Sequence, residues 1–228
     1  HHMVGFLSID KDYSVANYVA DAAQKIKEVY ERGKLPIICG GTGLYVDSLL
    51  TNTEFSEIKS DPKLRKELIA FANEHGNEAL YAQLEYEDPE SAAAIHPNNL
   101  GRVVRALEVL KITGIPLSEH KKRSHSVPSP YKVCYIGTGF EDRGKLYQRI
   151  EHRIDEMLKE GVLEEARLLF EHGGVSTAAQ AIGYKEFYPY LRGEETLEEA
   201  VLKLKADTRH YAKRQLTWFH RNEEINWF

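Results

Sequence analysis

Residues 35–50 read LPIICGGTGLYVDSLL, and this stretch decides the fold class. A short apolar run leads into two glycines and a threonine, and a run with helical character follows. The order predicts a buried strand over residues 35–39, a tight turn and a helix, as in the repeating unit of a parallel α/β sheet. Open α/β sheets bind ligands at the carboxyl ends of their strands, so Thr42 is a candidate ligand-binding residue. Gly40 and Gly41 lack a Cβ atom and would let a flat or bulky group lie against the backbone.

The turn is not a phosphate loop of the usual kind. The pattern G-x-x-x-x-G-K-[ST] occurs nowhere in the sequence. A Gly-Gly turn after a strand is a common feature. The pattern alone therefore does not identify the ligand that it would hold.

The composition is that of a globular protein rather than a disordered one. Hydrophobic residues make up 42% of the 228 residues and charged residues 29%. No apolar run approaches the ~20 residues of a membrane span, and nothing resembles a signal peptide, so we expect a cytoplasmic protein. Cys39 and Cys134 lie in apolar runs and are expected to be buried, reduced thiols. The net charge of −5 argues weakly against nucleic-acid binding, but basic residues cluster locally at residues 121–123 and 209–221.

A helical segment separates two α/β segments in the sequence. Residues 13–32 have an amphipathic helical pattern with Ser14 as N-cap. Residues 51–122 carry helix signals and no strand signal, including two Asp-Pro pairs, at Asp61 and Asp88, that predict helix starts. Further helices are predicted over residues 77–84 and 99–112, and the linker SHSVPSPYK follows them.

The chain then returns to α/β character. The patterns predict a β-rich stretch at residues 131–140, one long helix over 145–170, another over 198–219 and a short strand at 227–228. We therefore predict an α/β core made of residues 1–50 and 125–228, with a helical insertion over residues 51–124.

Three polar clusters are candidate binding sites. Arg209 and Lys213 lie four residues apart on one helix face, beside Lys205 and the hydroxyl of Thr208; they form either an anion-binding row or a solvated basic face. Arg102 and Arg105 share a face of another helix and would suit phosphate-backbone contact. The third cluster follows Gly183, which allows close backbone approach to a ligand or simply starts a helix.

Other site types have little support in the sequence. None of the ten histidines forms a metal-binding pair at i, i+4 spacing, and His120 and His125 fall in the predicted linker. No nucleophile elbow is present for a Ser-His-Asp triad.

The order of these motifs resembles that of the bacterial tRNA dimethylallyltransferase (tRNA isopentenyltransferase) family. The motifs are GGTGLYVDSLL, DPKLR, HPNNLGRVVRALEV, QAIGYKE and TRHYAKRQLTWF, and they span essentially the whole chain. The resemblance implies a P-loop NTPase-like parallel-sheet core with an inserted all-helical tRNA-binding domain. It also implies transfer of a dimethylallyl group from dimethylallyl diphosphate to N6 of adenosine 37, beside the tRNA anticodon, with Mg²⁺ as cofactor for the diphosphate.

The resemblance also implies roles for individual residues. Thr42 would hydrogen-bond near N6 of the extruded adenine, and Arg209 would stabilise the leaving diphosphate together with Lys213. Tyr211 and Trp218 are expected in the core rather than the site. The positions implied to contact tRNA are Gly40, Gly41, Arg65, Gly101, Arg102, Arg105, Gln180, Gly183, Tyr184, Lys185, Lys213, Arg214 and Gln215.

The start of the chain departs from the family pattern. A phosphate loop and a following aspartate are expected in the family and are absent from the sequence. His1 and His2 are either the remnant of a purification tag or, as the resemblance favours, native residues that match an internal His-His pair of the family. We therefore expect the general base and the main diphosphate-binding loop upstream of His1, an inactive 228-residue chain and an active, monomeric intact protein. Two alternatives remain: an adenylate isopentenyltransferase that acts on free nucleotides, and a non-catalytic RNA- or phosphate-binding module.

Overall fold

The computed structural model describes residues 1–9, 11–53, 58, 60–124, 127–173 and 177–228. The helices and strands within these residues, in chain order, are α1 (Val15–Glu31), α2 (Gly43–Leu50), α3 (Pro62–His75), α4 (Asn77–Glu87), α5 (Pro89–Ala94), α6 (Leu100–Thr113), α7 (Leu117–Ser124), β1 (Tyr135–Gly137), α8 (Arg143–Glu160), α9 (Val162–Glu171), α10 (Tyr188–Leu191), α11 (Leu197–Phe219) and β2 (Ile225–Trp227). Two short 3₁₀ turns, Ala178–Gln180 and Lys185–Phe187, precede α10. No helix in the described part of the chain is long and apolar enough to cross a membrane.

The chain divides into two compact units. The core unit consists of His1–Leu49 and Lys132–Phe228, and the helical unit consists of Leu50–Tyr131. Each unit has its own apolar core, and the two are described separately.

A small parallel sheet and long helices make up the core unit. Strands β1 and β2 pair in parallel, with Tyr135 opposite Ile225 and Gly137 opposite Trp227, so the predicted return to β structure near both positions is confirmed. Helices α8, α9 and α11 enclose the main apolar cluster, whose buried members are Ile154, Val162, Ala166, Phe187, Ala200 and Leu204.

Three predictions about the core unit are wrong. Residues 35–39 do not form a buried strand, since no described strand pairs with them, and Leu35 and Ile37 are 78% and 85% exposed. Cys39 lies in this segment and Cys134 just before β1, and both thiols are free and exposed rather than buried. The long helix predicted over 145–170 is two helices, because Gly161 adopts φ +103°, a left-handed conformation that ends α8.

Local side-chain capping explains the starts of five helices, α1, α3, α5, α8 and α11. The side chain of Ser14 accepts a hydrogen bond from the backbone N–H of Asn17 at 3.2 Å, which caps α1 as predicted. Asp61 Oδ1 accepts from Lys63 N at 2.9 Å and caps α3, with Pro62 at the first helical position.

The helical unit packs α3, α4, α5 and α6 around one core. Its buried apolar residues are Leu68, Ala72, Leu80, Leu84, Ala92, Ile95, Val103, Val104, Ala106 and Leu107. Asp88 caps α5 and also accepts hydrogen bonds from the N–H and the hydroxyl of Ser118, at 3.1 and 2.7 Å. These bonds attach α7 to the unit. Helix α7 includes His120, whose ring nitrogen Nε2 lies 3.1 Å from the Thr113 hydroxyl, so its predicted linker position is wrong; His125 lies outside the described residues.

Candidate functional site

The GGTG turn (residues 40–43) leads directly into α2. The carbonyl oxygen of Thr42 accepts hydrogen bonds from Tyr45 N at 2.9 Å and Val46 N at 3.1 Å, which start the helix. The Thr42 side chain is exposed. Its hydroxyl is therefore presented to solvent at the amino end of α2, where a ligand can reach it.

Helix α11 holds this turn through two hydrogen bonds. Gln215 Nε2 donates to the carbonyl oxygen of Gly41 at 2.8 Å, and Trp218 Nε1 donates to Asp47 Oδ2 at 2.7 Å. A Cβ atom at Gly41 would overlap the Gln215 amide, and one at Gly43 would overlap the Trp218 indole. A Cβ atom at Gly40 would meet no described atom.

The basic residues of α11 are partly engaged by α8. Arg209 Nη1 donates to Glu151 Oε1 at 2.6 Å, and its guanidinium lies 5.9 Å from the centre of the Tyr147 ring. Lys205 Nζ lies 2.6 Å from Asp155 Oδ1. A guanidinium carries five N–H donors, so Arg209 keeps donors for an anion while Glu151 orients it.

Two further basic side chains of α11 are exposed, whereas the Thr208 hydroxyl is bonded within the helix. Lys213 and Arg214 are exposed, and the Arg214 guanidinium lies 5.7 Å from the Tyr211 ring centre. The Thr208 hydroxyl, expected beside an anion, donates instead to the carbonyl oxygen of Leu204 at 2.8 Å. Its proton is therefore used within the helix.

The segment after Ala178–Gln180 forms a second polar cluster in the core unit. Gly183 has φ +108°, and its N–H donates to Glu186 Oε2 at 2.9 Å. Tyr184 donates its hydroxyl to Glu165 Oε2 at 2.9 Å, and burial together with this carboxylate raises the pKa of Tyr184 above 10.0. The Lys185 ammonium lies 3.9 Å from the buried Glu186 carboxylate, and Gln180 is exposed.

A buried carboxylate organises the arginines of the helical unit. Glu108 is fully buried and accepts hydrogen bonds from Arg105 Nη1 at 2.7 Å, Ser60 Oγ at 2.7 Å and Asp61 N at 2.9 Å. Burial alone would raise the pKa of Glu108, but these hydrogen bonds outweigh it and hold the pKa below its ordinary value of 4.5. Arg105 also donates to the carbonyl oxygen of Ile58 at 3.2 Å, so its guanidinium is largely committed within the unit.

The neighbouring residues of α6 face solvent. Arg102 is exposed, and a Cβ atom at Gly101 would meet no described atom. Arg65 on α3 makes a long contact of 3.4 Å from Nη1 to the Ser60 hydroxyl. Gly101 and Arg102 therefore form an open, positively charged start to α6.

The described residues do not build a metal centre. They bring together no group of three or more His, Cys, Asp or Glu side chains that could hold an ion. Mg²⁺ commonly needs only one or two carboxylates when substrate phosphates supply the other ligands, so this arrangement is compatible with an ion held mainly by a bound diphosphate.

A family model described as IPP transferase matches residues 1–222. The chain belongs to the IPP transferase family. The tRNA dimethylallyltransferase of Halalkalibacterium halodurans is 45% identical over 229 residues, covering 100% of this chain and 73% of that protein. The crystal structure of full-length tRNA isopentenylpyrophosphate transferase from Bacillus halodurans has a TM-score of 0.68 at 44% identity, covering 100% of this chain and 71% of that one.

A solved structure with lower sequence identity has a similar fold. Crystallographic snapshots of a eukaryotic dimethylallyltransferase acting on tRNA give a TM-score of 0.69 at 29% identity, covering 93% of this chain and 54% of that one. The mostly helical α/β architecture with a small parallel sheet is thus shared with solved IPP transferases.

In this IPP transferase, the structure joins some of the implied site residues and separates others. Gly41 and Gln215 meet at the GGTG turn, where Trp218 also packs, and Arg209 lies on α11 together with Gln215. Gly183, Tyr184 and Lys185 form their own cluster in the core unit, whereas Gly101, Arg102, Arg105 and Arg65 belong to the helical unit.

Sequence reasoning missed several contributors. Trp218 was expected in the core but is only half-buried and packs on Gly43 of the turn. Glu151 and Asp47 were not singled out, although each bonds a side chain of α11. The three-residue spacing of Gln215 and Trp218, which places them on one helix face, is the signal that could have found Trp218.

Proposed function

We propose that this IPP transferase transfers a dimethylallyl group from dimethylallyl diphosphate to N6 of adenosine 37, beside the tRNA anticodon. The observation that carries the proposal is that one helix, α11, both contacts the turn bearing Thr42 and carries Arg209. Gln215 and Arg209 are six residues apart on this helix, which corresponds to about 9 Å along its axis. The same helix could therefore contact the diphosphate donor through Arg209 and hold the turn that contacts the acceptor base.

In the proposed reaction, the Thr42 hydroxyl hydrogen-bonds the adenine near N6. The base must leave the stacked anticodon loop to reach it. Attack by N6 forms the new N–C bond as the allylic C–O bond to diphosphate breaks, and the displaced N6 proton passes to a base. Negative charge grows on the leaving oxygens, where Arg209 and Lys213 supply positive charge.

The P-loop NTPase-like character of the core and the Mg²⁺ requirement are part of the same proposal. Mg²⁺ bound to the diphosphate would supply further charge neutralisation. The Gly183–Lys185 cluster and Gln180 are proposed to contact tRNA, as are Arg214 and the open side of Gly40. The cytoplasmic location and the monomeric state stay predictions from the sequence.

The helical unit is the proposed binding domain for the anticodon stem-loop. Its support is the exposed, basic start of α6, where Arg102 faces solvent and Gly101 leaves room for close approach. Arginine contacts to phosphates fix the register of a nucleic acid, while sequence is read from bases in single-stranded loops. Arg65 is proposed to contribute a further phosphate contact.

The test uses the full-length gene product with radiolabelled dimethylallyl diphosphate, Mg²⁺ and either unmodified tRNA or AMP. We expect label in tRNA, and none when adenosine 37 is replaced by another nucleoside. Label in AMP instead would favour the nucleotide-prenylating alternative. Label in neither acceptor, with tRNA still bound, would favour the non-catalytic module.

A further inference from the structure

We infer that Gln215 and Trp218 are positioning residues, which hold the GGTG turn in the conformation that presents Thr42 to the acceptor base. The inference rests on the proposed function for the role of Thr42. It changes the role implied for Gln215, whose amide contacts the protein backbone at Gly41 O, at 2.8 Å.

The turn has little support of its own. Residues 34–40 have no regular secondary structure, and glycine has the greatest backbone freedom of any residue. Helix α11 is well anchored, because Ala200 and Leu204 are buried in the core of the unit. The anchored helix therefore restrains the turn, and the two contacts lie on either side of Thr42.

The glycines of the turn match this arrangement. The space beside Gly41 is filled by the Gln215 amide and the space beside Gly43 by the Trp218 indole. Neither Gly41 nor Gly43 has a positive φ, so the backbone conformation does not require glycine at either position. Close approach of α11 explains both, and the side of Gly40 stays open for a ligand.

The second contact is made through Asp47 on α2. Trp218 Nε1 donates to Asp47 Oδ2 at 2.7 Å, one helical turn after Gly43. This bond fixes α2 against α11 and orients the indole over Gly43. Thr42, which begins α2 through its carbonyl oxygen, is held between the two contacts.

The experiment compares full-length variants by two independent readouts. Gln215→Met keeps the side-chain length but removes the N–H donor, and Thr217→Ala on the same helix is the matched control. Hydrogen exchange of the amides in residues 41–46 measures the order of the turn without any turnover. Steady-state kinetics give kcat/KM for tRNA, and calorimetry gives the affinity for dimethylallyl diphosphate.

We expect Gln215→Met to speed exchange in this segment and to lower kcat/KM for tRNA about 10- to 100-fold, as misplaced reacting groups do. The affinity for dimethylallyl diphosphate should stay unchanged, and Thr217→Ala should match the wild type. Unchanged exchange in Gln215→Met would overturn the inference whether or not the protein prenylates tRNA. A wild-type protein that transfers no label to tRNA would refute the proposed function and leave the exchange result to decide the positioning role.

A second pair of variants tests the same contact independently, in case Gln215→Met fails to fold. Gly41→Ala alone should impair the turn because its new methyl group collides with Gln215, and adding Gln215→Ala should relieve the collision. We expect the double variant to recover part of the thermal stability lost in Gly41→Ala. Strictly additive losses would show that Gln215 does not fill the space beside Gly41.

Discussion

Replacing Arg105 by alanine tests its structural role separately from the tRNA-binding role proposed for Arg102 on the same helix. The sequence pairs Arg102 and Arg105 on one face, but the structure commits Arg105 to the buried Glu108 at 2.7 Å. A hydrogen bond to a charged group contributes about 1.5–3 kcal/mol. Because the Arg105 side chain is 37% exposed, solvent screening favours the lower end, and we expect Arg105→Ala to cost about 1.5 kcal/mol.

Native-state hydrogen exchange at the amides of α6 in the full-length protein measures this loss locally. Glu108→Gln added to Arg105→Ala should restore part of the stability, since it removes the buried charge left without its arginine. Arg102→Ala should leave exchange unchanged, weaken tRNA binding and reduce the salt-dependence slope of log K by about 0.7–0.9. Lys111→Ala, an exposed cation at the other end of α6, is the control. If Arg105→Ala weakened tRNA binding as much as Arg102→Ala with normal α6 protection, the assignment of Arg105 to Glu108 would be refuted.

Three further predictions follow from the same contacts. Because the pKa of Glu108 is lowered, its carboxylate contributes fully to the stability of the helical unit above the unfolded-state pKa of 4.5, and this contribution is lost as pH falls through the lower folded-state pKa. Glu108→Gln should remove this acid sensitivity from the hydrogen exchange of α6. Arg209→Ala should lower kcat/KM for dimethylallyl diphosphate by roughly 100-fold, with a smaller loss in Glu151→Gln, measured by label transfer; equal rates in Arg209→Ala and wild type would contradict the diphosphate role. Gly101→Ala should stabilise α6 by roughly 0.5–1 kcal/mol yet weaken tRNA binding in a filter assay, and unchanged binding would show that no ligand approaches this glycine closely.

Local patterns predicted much of the secondary structure. Ser14, Asp61 and Asp88 were identified as helix starts, and each caps a helix in the structure. Capping depends on atoms within three residues of one another, so the information lies in the local sequence. The order of the motifs was likewise enough to indicate the family.

One wrong prediction concerned a segment whose state depends on distant partners. Residues 35–39 have the composition of a buried strand, but strand formation requires a hydrogen-bonded neighbour, and the described strand pair is formed by β1 and β2. The single helix expected over 145–170 failed for a local reason instead, because Gly161 is tolerated within a helical pattern yet here takes a left-handed conformation.

The sequence by itself determined the helix boundaries that caps define, the separation of a helical segment from α/β segments, and the motif order of an IPP transferase. Only the tertiary structure decided which side chains meet. The bond from Gln215 to Gly41 joins residues 174 positions apart, and the bond from Arg209 to Glu151 joins residues 58 positions apart. Helical periodicity indicates which residues share a face, but the partner of that face is chosen by packing of the whole unit. For this reason Gln215 and Arg105 could be recognised from the sequence as important, while their contacts with Gly41 and Glu108 could not.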